Sequence, residues 1–384
     1  MTKPKKILIR SSWQSVNIGD IGHTPGLLSI LQQVRPELEL TLWPCEVGHG
    51  VKEMLMREFP KVKIVEGNAE SIAVKQAFAE HDFMLHGSGP SVVCAGDLQK
   101  WRSRTGKPYG IFGVTIERLD AELKDLLDHA DFIYCRDTVS VNFIRNSGVK
   151  CPVMEFGPDA TFAINLRDDS AAKNFLDKHN LKPGNFFCVI PRLRYTPYYK
   201  IHNTQPTEED LRRDAVNSEF AEIDHEKLRQ TVIDALENTD MKVLICAEMT
   251  YEVELGKTMI YDRLPEKYLS RVVWRDCYWR PDEAASVYSA SRLVVSFEMH
   301  SPIIALSVGT PAIYLRQPTD TCKGQMWRDI GLQDWIFEID DTSGSEIARQ
   351  TISIINNQPS AESQARQAQD YARKLQNDAL SKQP

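Results

Sequence analysis

The most informative chemical groups in this 384-residue sequence lie in one short segment, where Glu298 and His300 follow an apolar run that ends at Ser296. Small and apolar residues continue to Gly309, a residue type that commonly ends helices. This order predicts a strand, a polar turn and a helix that begins near His300. Because the positive end of a helix disfavours imidazolium, we expect a neutral His300 that can act as a general base. A lone histidine is more often structural, but its position at a strand end favours a functional role.

Two arginines, Arg192 and Arg194, follow the apolar run 186–190. A guanidinium group binds a carboxylate or a phosphate through two parallel hydrogen bonds, so this pair suits an anionic ligand. A solvated surface pair is the competing interpretation.

Polar turns also follow apolar runs in the first half of the chain. They contain Asn17, Gly19 and Asp20; Gly87, Ser88 and Gly89; Arg136 and Asp137; and Asp159. Glycine lets the backbone approach a ligand, and a helix N-terminus can bind an anion. The structural alternatives are helix capping by Asp20 or Asp137, a plain turn at 86–90, and loop orientation by Asp159. The turn at 86–90 lacks a complete G-x-G-x-x-G pattern, so no dinucleotide site is predicted.

The remaining histidines and cysteines form no recognisable motif. The nine histidines are scattered, and the sequence contains neither H-E-x-x-H nor a G-x-S-x-G nucleophile elbow. The eight cysteines form no C-x-x-C pair, and several lie in apolar runs. We therefore expect no metal site, and reduced, buried thiols in a cytoplasmic protein.

Alternating apolar and amphipathic segments must position these groups. Strands are predicted near 6–10, 39–43, 62–65, 82–85, 108–113, 131–135 and 153–156, and then near 186–190, 242–246, 271–274, 292–296 and 311–315. Helical patterns between them predict an α/β protein with two doubly wound, mostly parallel sheets. Ligands bind at the carboxyl ends of strands in such sheets, so two facing domains would enclose a cleft.

Two segments depart from this alternation. The polar stretch 195–223 is predicted as a long loop, which is either a lid or a plain surface insertion. The C-terminal stretch 359–384 is predicted to form a helix that packs back on the first domain. A polar stretch at 165–184 contains the predicted boundary between domains 1–165 and 175–358.

Composition narrows the functional classes. The net charge of -7 argues against a general nucleic-acid binder, because phosphate backbones require clustered Lys and Arg. The apolar run 7–9 is too short for the core of a signal peptide, and Arg10 ends it. Without a stretch of about 18 uncharged apolar residues, no membrane span is expected.

Taken in order, these motifs resemble those of the polysaccharide pyruvyl transferase family. That family has N-x-G-D, a Gly-rich turn, R-D-x-x-S, a G/P-x-D-x-x-F turn, an arginine after the second domain's first strand, and R-x-H followed by G-x-P. The matching residues are Asn17, Gly19 and Asp20; Gly87 and Gly89; Arg136, Asp137 and Ser140; Pro158, Asp159 and Phe162; Arg192; and His300, Gly309 and Pro311. Lys323 matches a family lysine beyond G-x-P, and the resemblance covers residues 5 to about 340.

The resemblance implies a GT-B-like pair of Rossmann-like domains that transfers pyruvate from phosphoenolpyruvate to hydroxyls of a cell-surface glycan precursor, as in exopolysaccharide biosynthesis. The first domain, with its polar turns, would hold the acceptor. In the second domain His300 would be the general acid or base, and Arg192 and Lys323 would bind the donor carboxylate and phosphate. No cofactor is implied. Peripheral contact with a lipid-linked glycan and self-association stay open.

One residue departs from the family pattern, because Glu298 stands where R-x-H has its arginine. A carboxylate there would repel phosphoenolpyruvate unless it is paired or protonated. The groups expected to compensate or to complete the donor site are Arg192, Arg194, Arg316, Lys323 and Ser296. Two alternatives therefore remain: a GT-B glycosyltransferase that uses a nucleotide-sugar donor, and a non-catalytic member that binds a glycan or a partner.

Overall fold

The computed structural model describes residues 5–383. Residues 1–4, which belong to the N-terminal segment predicted not to be a signal peptide, lie outside the described residues. The chain divides into two compact units. Unit 1 comprises the residues up to Leu166 together with those from Gln369 onward, and unit 2 comprises Arg167–Ala368.

Unit 1 is built on a parallel sheet whose strands are rich in β-branched and aromatic residues. Among the described residues its strands are β1 (Lys6–Ser11), β2 (Glu39–Pro44), β3 (Lys63–Ile64), β4 (Phe83–His86), β5 (Tyr109–Val114), β6 (Phe132–Cys135) and β7 (Met154–Phe156). Their order is β3-β2-β1-β4-β5-β6-β7, and every pairing is parallel. The chain therefore reverses its direction of winding between β1 and β4, which is the usual ligand position in such sheets.

Four of the six α-helices between residues 5 and 166 follow a polar residue whose side chain accepts from free backbone N–H groups. Among the described residues, unit 1 contains six α-helices before residue 167. They are α1 (Ile18–Val34), α2 (Val51–Glu58), α3 (Ile72–Glu80), α4 (Ala95–Thr105), α5 (Ala121–Asp128) and α6 (Thr138–Asn146). Asp137 caps α6, as the structural interpretation predicts. The cap of α1 is Asn17 and not Asp20, because the Asn17 side chain accepts hydrogen bonds from the N–H groups of Gly19 and Asp20.

Unit 2 repeats the same architecture. Its elements are α7 (Asp169–Lys178), β8 (Phe186–Ile190), α8 (Tyr198–Ile201), α9 (Glu208–Asn238), β9 (Lys242–Ile245), α10 (Glu252–Met259), α11 (Glu266–Leu269), β10 (Val272–Trp274), α12 (Pro281–Ala290), β11 (Val294–Ser296), α13 (His300–Ser307), β12 (Ala312–Arg316), α14 (Gln325–Asp329), β13 (Ile336–Glu338) and α15 (Gly344–Asn356). The parallel sheet has the order β10-β9-β8-β11-β12-β13. Winding therefore reverses between β8 and β11. The predicted α/β class with two doubly wound sheets is confirmed.

The last helix, α16 (Gln358–Ser381), begins in unit 2, and its residues from Gln369 onward belong to unit 1. Within unit 1, the side-chain amide of Gln369 donates to the carbonyl oxygen of Phe162 at 2.6 Å. The amide of Gln376 donates to the carbonyl oxygen of Asp159, also at 2.6 Å. Two buried glutamines thus satisfy backbone carbonyls of the segment that follows β7.

The prediction of a long loop over 195–223 is wrong for most of its length. Helix α9 already begins at Glu208, where Thr207 and Asp210 form a reciprocal capping box. The first turns of α9 consist mainly of polar residues, so their composition is the same as that of a loop, and this similarity explains the error. The short strand β13 was also not predicted.

The thiols are less uniformly buried than predicted. Burial holds for Cys135, Cys151, Cys188 and Cys246. Cys45 and Cys277 are exposed, while Cys94 and Cys322 are partly buried, and all eight are free thiols. Across residues 5–383, no helix combines the length and the apolar character that crossing a membrane requires.

The packing of α1 against the turn at 160–163 generates a stability prediction. A Cβ atom on Gly26 would lie 2.0 Å from the carbonyl oxygen of Ala160, which is a backbone atom that cannot rotate away. We expect Gly26→Ala to lower the free energy of unfolding of unit 1 by about 1–3 kcal/mol, the usual cost of overpacking. Urea unfolding followed by circular dichroism measures the change.

The matched control is Gly96→Ala in α4, where an added Cβ meets nothing within 4 Å. Alanine is the better helix former by about 1 kcal/mol, so this variant should be unchanged or slightly stabilised. Equal destabilisation of the two variants would contradict the close approach of α1 to residue 160.

Candidate active site

Charged side chains meet at the carboxyl edge of the unit 2 sheet, where its winding reverses. Arg192 follows β8, and Glu298 follows the neighbouring strand β11. The Nε atom of Arg192 lies 2.8 Å from Oε1 of Glu298, and its Nη1 atom lies 2.6 Å from Oδ1 of Asp320. Although burial favours the neutral form, these two carboxylates raise the pKa of Arg192, so the guanidinium stays charged. Glu298, the residue that departs from the R-x-H pattern, is therefore the ion-pair partner of Arg192.

Asp320 is the anionic centre of this cluster. Its Oδ1 atom lies 3.0 Å from Nζ of Lys323, while its Oδ2 atom accepts from the Tyr314 hydroxyl at 2.6 Å and from the backbone N–H of Gln317 at 3.0 Å. Burial alone would raise its pKa, but Arg192 and Lys323 hold the pKa of Asp320 at about 2. Asp320 therefore fixes both predicted donor-binding cations. Sequence reasoning missed it, although it lies only three residues before Lys323.

His300 is the first residue of α13, as the sequence predicts. Its Nδ1 atom lies 3.4 Å from Oε1 of Glu248, a fully buried residue in the segment after β9. The other oxygen of Glu248 accepts a hydrogen bond from the backbone N–H of Ser301 in the first turn of α13. One carboxylate thus holds the helix start and contacts the imidazole. Glu248 was not among the predicted site residues.

Burial favours the neutral form of two carboxyl groups in this region, Glu298 and the neighbouring Glu252. Burial raises the pKa of Glu298, and the nearby charge of Glu248 adds to this effect, while Arg192 opposes it. Burial also raises the pKa of Glu252 well above its usual range, reinforced by Glu298 and Glu248. Glu252 accepts backbone hydrogen bonds from Glu248 and Met249 at 2.7 and 3.0 Å. Ser296 supports the turn, because its hydroxyl accepts from the N–H of Glu298 at 2.9 Å.

The other two predicted donor-binding arginines have structural partners. The guanidinium of Arg194 donates two hydrogen bonds to Asp224, each 2.9 Å long, also pairs with Asp340, and lies 3.7 Å from the ring centre of Phe220. Arg316 donates to Glu338 at 2.7 Å and to the carbonyl oxygen of Asp320 at 2.8 Å. Arg316 thus supports the loop of Asp320 with its side chain.

Arg194 connects to the Arg192 cluster through one amide. The side chain of Gln317 accepts from Arg192 at 2.9 Å and donates to Asp224, the partner of Arg194, at 3.0 Å. A continuous polar network therefore extends from Glu298 to Asp224 beneath the carboxyl edge of the sheet.

In unit 1, the predicted turn residues lie where β1 and β4 end. The Gly87 and Gly89 positions are tight, because an added Cβ would lie 2.7 Å from Oγ of Ser11 or 2.9 Å from Nε1 of Trp13. The Ser88 hydroxyl accepts from the backbone N–H of Ala160 at 2.9 Å. These glycines therefore serve a close approach between the two strand ends.

Arg136 and Asp159 form a buried ion pair in unit 1. Nη1 of Arg136 lies 2.8 Å from Oδ2 of Asp159, and its Nε donates to Thr115 at 2.8 Å. The other Asp159 oxygen lies 2.9 Å from Nδ1 of His23, whose Nε2 lies 3.3 Å from Oδ1 of Asp20. His23 thus joins two motifs that are far apart in sequence, and sequence reasoning missed it because it lies inside the first apolar helix.

Comparison with solved structures supports the fold. The chain is similar to the UDP-GlcNAc 2-epimerase of Neisseria meningitidis bound to UDP-GlcNAc, with a TM-score of 0.61, 10% identity, and coverage of 98% of each chain. It is also similar to the Anabaena protein HepE in complex with UDP-glucose, with a TM-score of 0.57, 13% identity, and coverage of 98% of this chain and 97% of that one. For the ADP-heptose LPS heptosyltransferase II of E. coli the TM-score is 0.55 at 11% identity, with coverage of 92% and 99%. These likenesses confirm the predicted GT-B-like fold.

Comparison of the sequence itself gives the family. No curated protein matches it significantly. The family description of polysaccharide pyruvyl transferases matches residues 17–317, which include Asn17 at one end and the Arg192, Glu298 and His300 positions toward the other. The match covers most of the chain, and the chain therefore belongs to the polysaccharide pyruvyl transferase family.

Proposed function

We propose that this protein transfers pyruvate from phosphoenolpyruvate to hydroxyl groups of a sugar in a cell-surface glycan precursor, and that it does so in the cytoplasm. The observation that carries the proposal is the cluster of Arg192, Lys323 and Asp320 at the carboxyl edge of the unit 2 sheet, in a chain of this family. Two fixed cations at the usual ligand position suit a donor that has a carboxylate and a phosphate.

The proposed chemistry needs a group that moves protons. Protonation of the donor's methylene carbon lets a sugar hydroxyl add to the neighbouring carbon, and that hydroxyl loses its proton. A second hydroxyl then attacks the same carbon and displaces inorganic phosphate, which takes up the proton of that hydroxyl, and a pyruvate ketal remains on the sugar. We assign proton transfer to His300, with Glu248 as the residue that orients its ring through Nδ1 at 3.4 Å.

Glu298 sets the charge of the proposed donor site. The Glu298 carboxylate neutralises part of the positive charge of Arg192. An anionic donor must therefore compete with Glu298 for the guanidinium group. Protonation of Glu298 would remove this competition, and its buried position raises its pKa in that direction. We therefore propose that donor binding is coupled to proton uptake by Glu298.

A nucleotide-sugar donor is the second candidate. It is favoured by the structural likeness to HepE, which was solved with UDP-glucose, and to an epimerase bound to UDP-GlcNAc. A diphosphate is also an anion that Arg192 and Lys323 could bind. Protection of the protein against thermal unfolding by UDP, without protection by phosphoenolpyruvate, would select this candidate.

The reaction itself is tested with His300→Ala. We expect the wild type to release inorganic phosphate from phosphoenolpyruvate in the presence of a glycan acceptor and to add a pyruvate ketal, seen by mass spectrometry. The variant should lose about 100- to 10,000-fold in kcat, as for removal of a general acid or base. Its affinity for the donor, measured by calorimetry, should change much less.

His202→Ala is the matched control, because His202 is an exposed histidine of unit 2. It should retain the wild-type kcat. Absence of donor binding by the wild type in calorimetry would refute pyruvyl transfer, whereas full activity of His300→Ala would refute only the role of His300.

The coupling to protons is tested with Glu298→Gln. Because the folded-state pKa of Glu298 is raised, its carboxyl is neutral below that pKa and charged above it. Donor affinity of the wild type should therefore weaken as the pH rises through this pKa, by at most about tenfold per pH unit. The glutamine variant should lack this component and retain only the titration of the donor, so the difference between the two Kd profiles isolates Glu298.

The same position separates a working site from a decayed one. If the wild type binds the donor and Glu298→Arg weakens that binding, Glu298 belongs to a working donor site. A wild type that binds no donor, together with a Glu298→Arg variant that does, would favour the non-catalytic alternative. Parallel Kd profiles of the wild type and Glu298→Gln would contradict proton coupling while leaving pyruvyl transfer intact.

A further inference from the structure

Unit 1 contains two cysteines in contact, outside the residues assigned to donor or acceptor. Cys45 directly follows β2, and Cys94 directly precedes α4 with a left-handed backbone, φ 55°. Their Sγ atoms are 3.3 Å apart. Rotation of the side chains by little more than 1 Å at sulfur would bring them to the S–S bond length of about 2.0 Å.

A fixed cation lies beside this pair. Nη2 of Arg10 is 3.6 Å from Sγ of Cys94, and the same guanidinium donates to Asp97 at 3.0 Å and to the carbonyl oxygen of Trp43 at 2.9 Å. The guanidinium also lies 4.2 Å from the ring centre of Trp43. Arg10 is buried and held from three sides, so it is a permanent neighbour of Cys94 and not a mobile surface charge.

The two thiols have different acidities. The hydrogen bond with Cys45 and the charge of Arg10 lower the pKa of Cys94 to about 6, against the opposing effects of burial and of the Asp97 carboxylate. The hydrogen bond with Cys94 raises the pKa of Cys45, and burial adds to this effect. The N-terminus of the eleven-residue helix α4 adds to the stabilisation of a thiolate at Cys94. Because the fixed guanidinium of Arg10 contacts Cys94, we expect Cys94 to be the attacking thiolate.

Small oxidants can reach the pair. Cys45 is exposed and Cys94 is partly buried. Cys45 and Arg10 line an open cavity of about 790 Å³. By contrast, Cys188 and Cys246 lie in the buried core of unit 2, where burial raises the pKa of Cys188 well above its usual range. Proximity, a fixed cation and access therefore coincide at Cys45 and Cys94.

We propose that Cys45 and Cys94 are a reversible redox pair that a peroxide oxidises to an intramolecular disulfide. The Cys94 thiolate attacks one oxygen of hydrogen peroxide, breaks the O–O bond and becomes a sulfenic acid, and the other oxygen leaves as water after taking up a proton. Cys45 then attacks the sulfenic sulfur and displaces a second water. Two thiols are oxidised and one peroxide is reduced to two waters.

The disulfide would join the end of β2 to the residue before α4. It would therefore brace segment 87–94, which begins at the Gly87–Gly89 turn after β4. The proposal itself concerns only the modification and does not depend on the proposed activity.

The test uses the full-length reduced protein. Native protein is treated with hydrogen peroxide, quenched with an alkylating agent, digested and analysed by mass spectrometry. We expect one cross-linked peptide pair that contains Cys45 and Cys94 and that disappears on treatment with dithiothreitol. Cys45→Ala should abolish the cross-link and leave Cys94 as a sulfenic acid that dimedone traps. Cys277→Ala, which removes an exposed thiol elsewhere, should leave the cross-link intact.

A second measurement needs no variant. Alkylation of Cys94 in the wild type should be half-maximal near pH 6, matching its lowered pKa. Above about pH 7 the rate should no longer rise with pH, because Cys94 is then almost fully thiolate. Alkylation of Cys94 that still rises about tenfold per pH unit between pH 7 and 8, or oxidation of Cys94 in the wild type without a cross-link to Cys45, would overturn the proposal.

Discussion

The charged site of unit 2 depends on one buried cation, Arg192, held between two carboxylates. A buried guanidinium is tolerated only when its charge is compensated at close range, and removing one partner of such a pair is strongly destabilising. Glu298 and Asp320 supply that compensation from the two strands beyond β8, namely β11 and β12. Asp320 in turn holds Lys323, and Gln317 extends the network to Asp224. The carboxyl edge of the sheet is therefore arranged around the charge of Arg192.

This arrangement changes how the substitution at Glu298 is interpreted. Viewed in the sequence alone, it is an anion where the family has a cation, which suggests a lost donor site. In the structure it completes an ion pair with Arg192 at 2.8 Å, and burial favours its protonated form. A carboxyl with these properties can alternate between neutralising Arg192 and releasing it. The substitution is thus compatible with an anionic ligand, provided that a proton accompanies the ligand.

Local patterns in the sequence predicted most strands and helices correctly, but they did not predict which charged side chains pair with each other. Apolar runs bounded by glycine and polar residues gave the strands of both sheets apart from β13, and the start of α13 at His300. Glu248 and Asp320 were not predicted, because acidic residues in polar loops look alike until the fold decides which of them is buried. Glu248 is 52 residues from His300 in sequence, and only the parallel sheet brings the two ends together. Arg194 shows the opposite case, since its type and position suit a ligand but Asp224 already satisfies it.

The sheet of unit 1 has the strand order of the sheet of unit 2 with β7 added at one edge, and the two sheets use the same topological position differently. In unit 2 this position carries ionised side chains, with Arg192 and Lys323 as the cations. In unit 1 the corresponding strand ends carry Gly87 and Gly89, where side chains would clash and the backbone comes close. Buried charges near these strand ends of unit 1 are paired, Arg136 with Asp159 and Arg10 with Asp97. An edge formed by backbone and small residues suits a neutral, hydroxyl-rich ligand, whereas an edge with buried cations suits an anion. Under the proposed function, unit 1 would therefore hold the sugar acceptor and unit 2 the anionic donor, because protonation of Glu298 can release Arg192 for an anion.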